Sequence, residues 1–141
     1  NLNIMKKVVC GFLLLFVLVA CGVANKIVNS EVDTKKSYPL QYTKWVLMDK
    51  TKGSIPSLNI KERRIYGNAG CNNYTADIKI DDTNHKITIG AVTSTKMYCK
   101  WIKSEVTFLK FLSMANGYKI KENILELYKD NILLMKFKVE E

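Results

Sequence analysis

Short runs of alternating apolar and polar residues fill most of the chain after position 43, and they restrict the fold more than any other feature. The clearest run is Tyr74 to Ile80, in which every second side chain is apolar. This two-residue period is typical of a strand with one buried face. Seven further segments are expected to be strands: Thr43–Met48, Ser57–Lys61, Arg64–Gly67, Lys86–Gly90, Tyr118–Lys121, Ile124–Tyr128 and Ile132–Val139. Polar turns such as 81–84 separate several of them, so the sequence predicts an antiparallel sheet.

One segment, from Ile102 to Ala115, departs from this period. Its apolar residues recur at helical spacing, and the expected stripe is Ile102, Val106, Phe108, Leu109, Phe111 and Leu112. Ser104 and Glu105 offer a cap and a negative charge at the start of the helix. The pair Asn116-Gly117 suits a left-handed stop after it. The predicted fold class is therefore α+β, a curved and partly barrel-like antiparallel sheet with one helix packed on it.

Length and composition limit the class of protein. The chain has 141 residues, of which 48% are hydrophobic and 25% charged. Such values exclude a disordered or collagen-like chain, and the length allows one domain. The net charge of +9 suits either anionic lipid headgroups or a solvated, lysine-rich surface. We expect no nucleic-acid partner, because the sequence has no clustered basic helix and no aromatic-basic sheet motif of a known reader type.

The first segment has the pattern of an export signal. Met5-Lys6-Lys7 looks like the true start, and the apolar run Val8–Ala20 follows it. Leu18-Val19-Ala20-Cys21 resembles the bacterial lipobox, in which small residues precede a cysteine that receives a diacylglycerol. We therefore expect a signal peptide over residues 1–20 and a lipid on Cys21. A single membrane-spanning helix is the alternative interpretation of this run.

A polar segment separates the expected anchor from the strands. Residues 21–39 are predicted to be a tether, with Pro39 marking the boundary of a domain over residues 40–141. As a flexible coil, Gly22–Tyr38 would span on the order of 20–25 Å. The expected location is the bacterial cell envelope, with the domain lipid-anchored to a membrane and facing the periplasm or the cell surface.

Four motifs follow one another along the expected domain. They are a strand led by tryptophan, a Gly-Cys-Asn motif, a Thr-basic-Met-x-Cys motif and a glutamate that opens the helix, found here as Trp45–Leu47, Gly70–Asn72, Thr95–Cys99 and Glu105. In this order they resemble the META domain of HslJ-like heat-inducible lipoproteins, over about residues 40–138. The resemblance implies an envelope-attached domain, broadly associated with stress tolerance, motility and virulence. It brings no catalytic residues that could be transferred to this chain.

Cys71 and Cys99 are the strongest candidates for chemistry in the exported domain. An oxidising envelope favours a disulfide between two such thiols. Free thiols, or redox or metal handling by the pair, are the alternatives. A redox enzyme would favour a C-x-x-C spacing, and a metal site needs further ligands, whereas His85 is the one histidine of the sequence and lies in a turn-like segment.

The remaining candidates have simple structural explanations. Residues 70–73 form either a binding loop or, more simply, a tight connection, because Gly and Asn tolerate positive φ. Met97, Tyr98 and Trp101 are expected to pack in the core, with a pocket lining as the alternative. We expect no enzyme activity, no cofactor and no metal. The expected function is that of a membrane-anchored lipoprotein with a binding or envelope-maintenance role, whose partner is an envelope protein or a lipid.

Overall fold

The computed structural model describes residues 36–141, so the predicted signal peptide, Cys21 and most of the predicted tether lie outside the described residues. Nine strands and one helix occur within that range. They are β1 (Lys44–Leu47), β2 (Ser57–Lys61), β3 (Arg64–Asn68), β4 (Asn73–Asp81), β5 (Lys86–Ile89), β6 (Thr93–Ser94), α1 (Ile102–Met114), β7 (Gly117–Lys121), β8 (Ile124–Lys129) and β9 (Ile132–Val139). Each of the eight strands expected from the alternation is present, within two residues at either end.

Eight of the strands close into an antiparallel barrel. The order around it is β3-β2-β1-β9-β8-β7-β5-β4, and the pairing of β4 with β3 completes the ring. Strand β4 is nine residues long, so one of its edges pairs first with β6, at Tyr74 and Thr75, and then with β5, from Ile78 onwards. The seam between β5 and β7 is the weakest, with one paired position, Lys86 opposite Gly117.

The predicted barrel-like antiparallel sheet with one packed helix is confirmed, but α+β describes the domain only loosely. Strands dominate, and the one helix of the described residues is 13 residues long. The alternation did not reveal β6, because Thr93 and Ser94 are both exposed and polar. Tyr38, a residue of the predicted tether, donates its N–H to the carbonyl of Glu122 at 3.4 Å and packs against the core.

The inward-facing residues of the strands form the core. In β4, Tyr74, Ala76 and Ile78 are buried on one face, as the period predicts, while the residues between them are half-buried or exposed. The most completely buried side chains include Trp45, Leu58, Ile65, Ile78, Leu112, Leu125, Leu127 and Phe137. Trp45 keeps its indole N–H satisfied by donating to the carbonyl of Leu40 at 3.2 Å. Burying this ring leaves no unpaired donor, which such a site requires.

Helix α1 fills the barrel through Phe108. The Phe108 ring lies 5.6 Å from the ring of Tyr74 on β4 and 6.3 Å from that of Phe137 on β9. These two strands are four places apart in either direction around the ring of eight, so they belong to opposite walls. Phe108 therefore holds the helix in place by packing against both sides of the barrel interior.

Two features of the predicted helix need correction: one edge of its buried face and its capping residues. Ile102 and Val106 are exposed, and the buried positions are Glu105, Phe108 and Leu112. Phe108 and Leu112 of the predicted stripe are buried, and Leu109 and Phe111 pack against the core, so the error is confined to the edge that Glu105 occupies in place of Ile102 and Val106. Ser104 makes no cap: the N-cap residue is Trp101, without a side-chain hydrogen bond.

The helix does not end in a left-handed residue. Its C-cap, Ala115, is extended, with φ −64° and ψ 131°, and Gly117 is already the first residue of β7. The chain thus leaves α1 directly into the next strand, and the predicted left-handed stop at Asn116-Gly117 is wrong.

Candidate functional site

The disulfide predicted between Cys71 and Cys99 is confirmed. The two Cα atoms lie 6.3 Å apart, and 28 positions of sequence separate the residues. Cys71 follows β3, while Cys99 precedes α1. The bond therefore ties the approach to the helix to the loop between two neighbouring strands of the barrel.

Beside the disulfide, Asn72 is buried with its backbone groups paired. Its side chain and backbone together are 1% exposed. The backbone N–H donates to Oε2 of Glu105 at 2.7 Å, and the backbone carbonyl accepts from the N–H of Ala69 at 2.8 Å. Glu105 is itself 4% exposed, so its carboxylate lies in the protein interior.

The side-chain amide of Asn72 is paired as completely as its backbone. Its Oδ1 accepts from the hydroxyl of Thr95 and from the backbone N–H of Met97, both at 2.7 Å. Its Nδ2 donates to Glu105 Oε1 at 3.0 Å and to the Met97 carbonyl at 3.2 Å. The single residue thus joins the 68–73 loop, the segment after β6 and the first turn of α1.

This network gives Asn72 and Glu105 roles that the sequence alone did not indicate. Asn72 is needed for its side-chain hydrogen bonds and not for a positive φ, and Glu105 is needed as an acceptor more than as a charge near the helix start. The two residues are 33 positions apart, so no local pattern links them. Both residues belong to the four motifs named in the sequence analysis, and membership in those motifs is the one sequence feature that marked them. Because every polar group of Asn72 is engaged within the protein, the network is suited to holding the loop rigid.

The 68–73 loop itself is a tight connection, as the simpler interpretation predicted. Gly70 has φ +110°, a left-handed value that glycine adopts readily. Asn68 Oδ1 accepts from the N–H of Gly70 at 2.8 Å, and Ser54 donates its N–H to the Gly70 carbonyl at 3.2 Å. The loop is therefore fixed by its own residues and by the segment that precedes β2.

Outside this rigid base, the expected core residues Met97, Tyr98 and Trp101 are exposed, so that expectation is wrong. Their exposed fractions are 58%, 98% and 40%. The segment cannot turn these side chains inward, because its backbone at Met97 is bonded to Asn72 and Cys99 is joined to Cys71. The side chains therefore project from the disulfide end of the barrel.

The opposite end of the barrel carries an open groove of about 840 Å³. Residues 37–41 and 118–121 line it, together with Asp82, His85 and Glu126. The hydroxyl of Tyr118 donates to Asp82 Oδ1 at 2.7 Å; burial, and then this hydrogen bond, raise the pKa of Tyr118 to about 12. His85 is exposed, as predicted, and meets the Tyr118 ring edge-on at 5.5 Å.

Two further findings concern the described residues as a whole. Between residues 36 and 141, no three His, Cys, Asp or Glu side chains are grouped so that they could hold a metal ion. Within the same range, no helix is long and apolar enough to cross a bilayer.

A smaller cavity, of about 340 Å³, lies between α1 and the sheet, with Phe108, Phe111 and Met135 among its walls.

Comparisons with known proteins agree with this architecture. A family model described as the META domain matches residues 38–141. An NMR structure of a protein from Burkholderia xenovorans is 22% identical, with a TM-score of 0.59 and a match that covers 72% of this chain and 83% of that one. A second NMR structure is 17% identical, with a TM-score of 0.55 and coverage of 71% and 91%. These two structures share the fold. None of the curated proteins matches the sequence.

Proposed function

The chain belongs to the META domain family, and from this premise we propose that it is a non-catalytic binding protein of the bacterial cell envelope. A lipid on Cys21 holds it to a membrane, and the domain binds its partner, an envelope protein or a lipid, through the disulfide end of the barrel. A role in envelope maintenance under stress fits such a protein.

One observation carries the proposal: a rigid base holds apolar side chains in solvent. Tyr98 is 98% exposed, yet its neighbours Met97 and Cys99 are fixed by hydrogen bonds to Asn72 and by the disulfide. Exposing large apolar side chains costs solvation free energy, so such positions mark interaction sites when they cluster. A rigid support also reduces the entropy that the loop loses on binding.

The same end offers little support for catalysis. The buried polar groups of Asn72 and Glu105 are paired with one another and with Ala69, Thr95 and Met97, so none of these groups is free for a substrate. Redox or metal handling by Cys71 and Cys99 remains the alternative function. Both cysteines are half-buried, and their separation of 28 positions differs from the C-x-x-C spacing of redox enzymes.

Anchoring is tested with the Cys21→Ser variant in a bacterial host. Wild-type protein should incorporate labelled fatty acid and fractionate with membranes, whereas the variant should remain unlabelled. Labelling of Cys21→Ser at the wild-type level would overturn the anchor.

Binding is tested with a photo-crosslinking residue at position 98 and, as the matched control, at Thr88, an exposed position on β5. Adducts with protein or lipid should form from position 98 and not from position 88. Equal adduct formation at both positions, or none at 98, would contradict a binding role for the disulfide end.

A further inference from the structure

The exposed apolar residues of the disulfide end lie close together in the sequence and are defined here as the interfacial patch: Met97, Tyr98, Trp101, Ile102 and Val106. All five are at least 39% exposed and lie within ten positions of one another. Ile102 and Val106 are one helical turn apart, so they share a face of α1. That face is directed away from the barrel, because Glu105, Phe108 and Leu112 occupy the buried one.

Lysines surround the interfacial patch. The Nζ atoms of Lys52 and Lys100 lie 5.0 Å and 4.9 Å from the centre of the Trp101 ring. Lys96 and Lys103 are exposed and lie on either side of Lys100 in the sequence. The segment that carries the patch therefore holds three lysines, and Lys52 adds a fourth beside Trp101.

Within the segment that carries the patch, no exposed carboxylate offsets that charge, although Asp49 lines the cavity that Lys103 also borders. Between residues 95 and 106 the one acidic residue is Glu105, which is 4% exposed and bonded to Asn72. Elsewhere on the domain, some lysines pair with acidic side chains, as Lys136 does with Glu126 at 2.7 Å. The patch thus combines apolar side chains with positive charge. A surface that complements its charge is anionic.

Trp and Tyr side chains with lysines beside them suit the boundary between lipid headgroups and acyl chains. The rings are apolar with one polar atom, and lysine stems lie along apolar surface while the ammonium groups remain in water. Each lysine near an anionic leaflet adds about 1 kcal/mol of attraction. An acidic protein would match the charge, whereas the headgroup boundary of an anionic bilayer matches both the charge and the aromatic side chains with lysines beside them.

We infer that the interfacial patch docks the domain onto an anionic bilayer surface, as a second contact besides the lipid on Cys21. The inference rests on the proposed envelope-anchored function and names the partner of its binding end. The anchor permits this contact. Strand β4 places the two ends of the barrel roughly 26 Å apart, and the 17 residues from Gly22 to Tyr38 reach at most about 60 Å when extended.

The two tryptophans of the chain provide the measurement. Trp45 is fully buried, whereas Trp101 is 40% exposed within the patch. The full lipidated chain is placed in vesicles that contain phosphatidylcholine brominated near the headgroup end of its acyl chains, with or without about one third phosphatidylglycerol. Bromine should quench the emission of Trp101 in the anionic vesicles and leave it unquenched in the neutral ones.

Salt and charge substitutions sharpen the test. Raising the salt to about 1 M, where the Debye length is about 3 Å, should abolish quenching while the anchor keeps the protein on the vesicles. The variant Lys96→Gln, Lys100→Gln, Lys103→Gln should lower the docking equilibrium constant roughly 100-fold. The control Lys61→Gln, Lys79→Gln, Lys121→Gln removes the same charge from exposed positions at the far end and should quench like the wild type.

The outcomes separate this inference from the proposed function. Protein that does not sediment with either vesicle type refutes the lipid anchor. Protein that sediments with anionic vesicles without quenching of Trp101 overturns the docking inference, and crosslinks from position 98 to a protein would then identify a protein partner. Quenching that persists in Trp101→Phe would also overturn it, because the signal would come from Trp45.

Discussion

The two ends of the barrel are held together in different ways. At the disulfide end, Asn72 and Glu105 are buried, and the hydrogen bonds that join these two residues lie in the protein interior. At the far end, the Tyr118–Asp82 bond lies at the edge of an open groove, and Asp82 itself is exposed. The weakest strand pairing, between β5 and β7, also lies at the far end.

The difference shows where polar interactions contribute most to stability. A buried donor or acceptor that loses its partner costs about 1–3 kcal/mol, whereas water replaces the lost partner at an exposed site. We therefore expect the disulfide end to be sensitive to single substitutions and the far end to tolerate them. A rigid end that also exposes apolar side chains is suited to binding without reorganisation.

The largest effect is expected for Asn72→Ala. The substitution removes the side-chain Nδ2 bonds to the buried Glu105 carboxylate, which keeps only the backbone N–H of residue 72, and it removes the acceptor of the Thr95 hydroxyl and the Met97 N–H. The free energy of unfolding, measured by urea denaturation, should fall by about 3–5 kcal/mol. Asn73→Ala, at the exposed neighbouring position, should lower it by less than about 1 kcal/mol. Equal losses in the two variants would refute a special role for Asn72.

Reduction of the disulfide should have the next largest effect. Closing a loop across 28 positions stabilises the native state by about 3.5 kcal/mol in the chain-entropy model. A reductant should therefore lower the midpoint of thermal unfolding of the wild type. The Cys71→Ala, Cys99→Ala double variant should unfold at a lower temperature and show no response to the reductant. A wild type that is equally unresponsive would mean that the bond contributes nothing to stability.

The smallest effect is expected at the far end, for Tyr118→Phe. Losing one half-solvated hydrogen bond to Asp82 should cost about 1 kcal/mol at neutral pH. The pH dependence identifies the residue. The folded-state pKa of about 12 exceeds the ordinary 10.0, so the folded protein keeps a proton that the unfolded chain loses. Stability should fall as the pH rises from 10 to 12.

The matched measurement compares unfolding free energies of the wild type and Tyr118→Phe across that range. The variant should show a shallower fall, with the remaining slope due to other groups such as Tyr74, whose pKa burial also raises. Identical slopes would show that Tyr118 ionises alike in both states. A loss at neutral pH as large as that of Asn72→Ala would remove the contrast between the two ends.

Much of the barrel was predictable, because its signals are local. The two-residue period marks the eight strands of the ring, and turn residues mark their ends. The existence of α1 was predictable for the same reason. Its buried face was predictable in part: Phe108 and Leu112 were expected there, but the burial of Glu105 in place of Ile102 and Val106 was not, because only contact with the barrel selects it.

The candidate site was predictable in part. The disulfide followed from the expected oxidising compartment and the number of thiols, before any contact was known. The exposure of Met97, Tyr98 and Trp101 was not predictable, because apolar side chains in a sequence favour burial by default. Here the backbone around them is fixed by Asn72, so burial is not available to them.

The sequence by itself determined the local elements: the strands, the turns, the helical segment, the cysteine pair and the family motifs. These depend on the spacing of neighbouring residues and on their chemistry. Tertiary structure decided the closure of the ring, the placement of Phe108 between opposite walls and the pairing of Asn72 with Glu105. These contacts join residues that are far apart in the chain. They form only once the barrel has brought distant segments together. For that reason, no local pattern in the sequence predicts them.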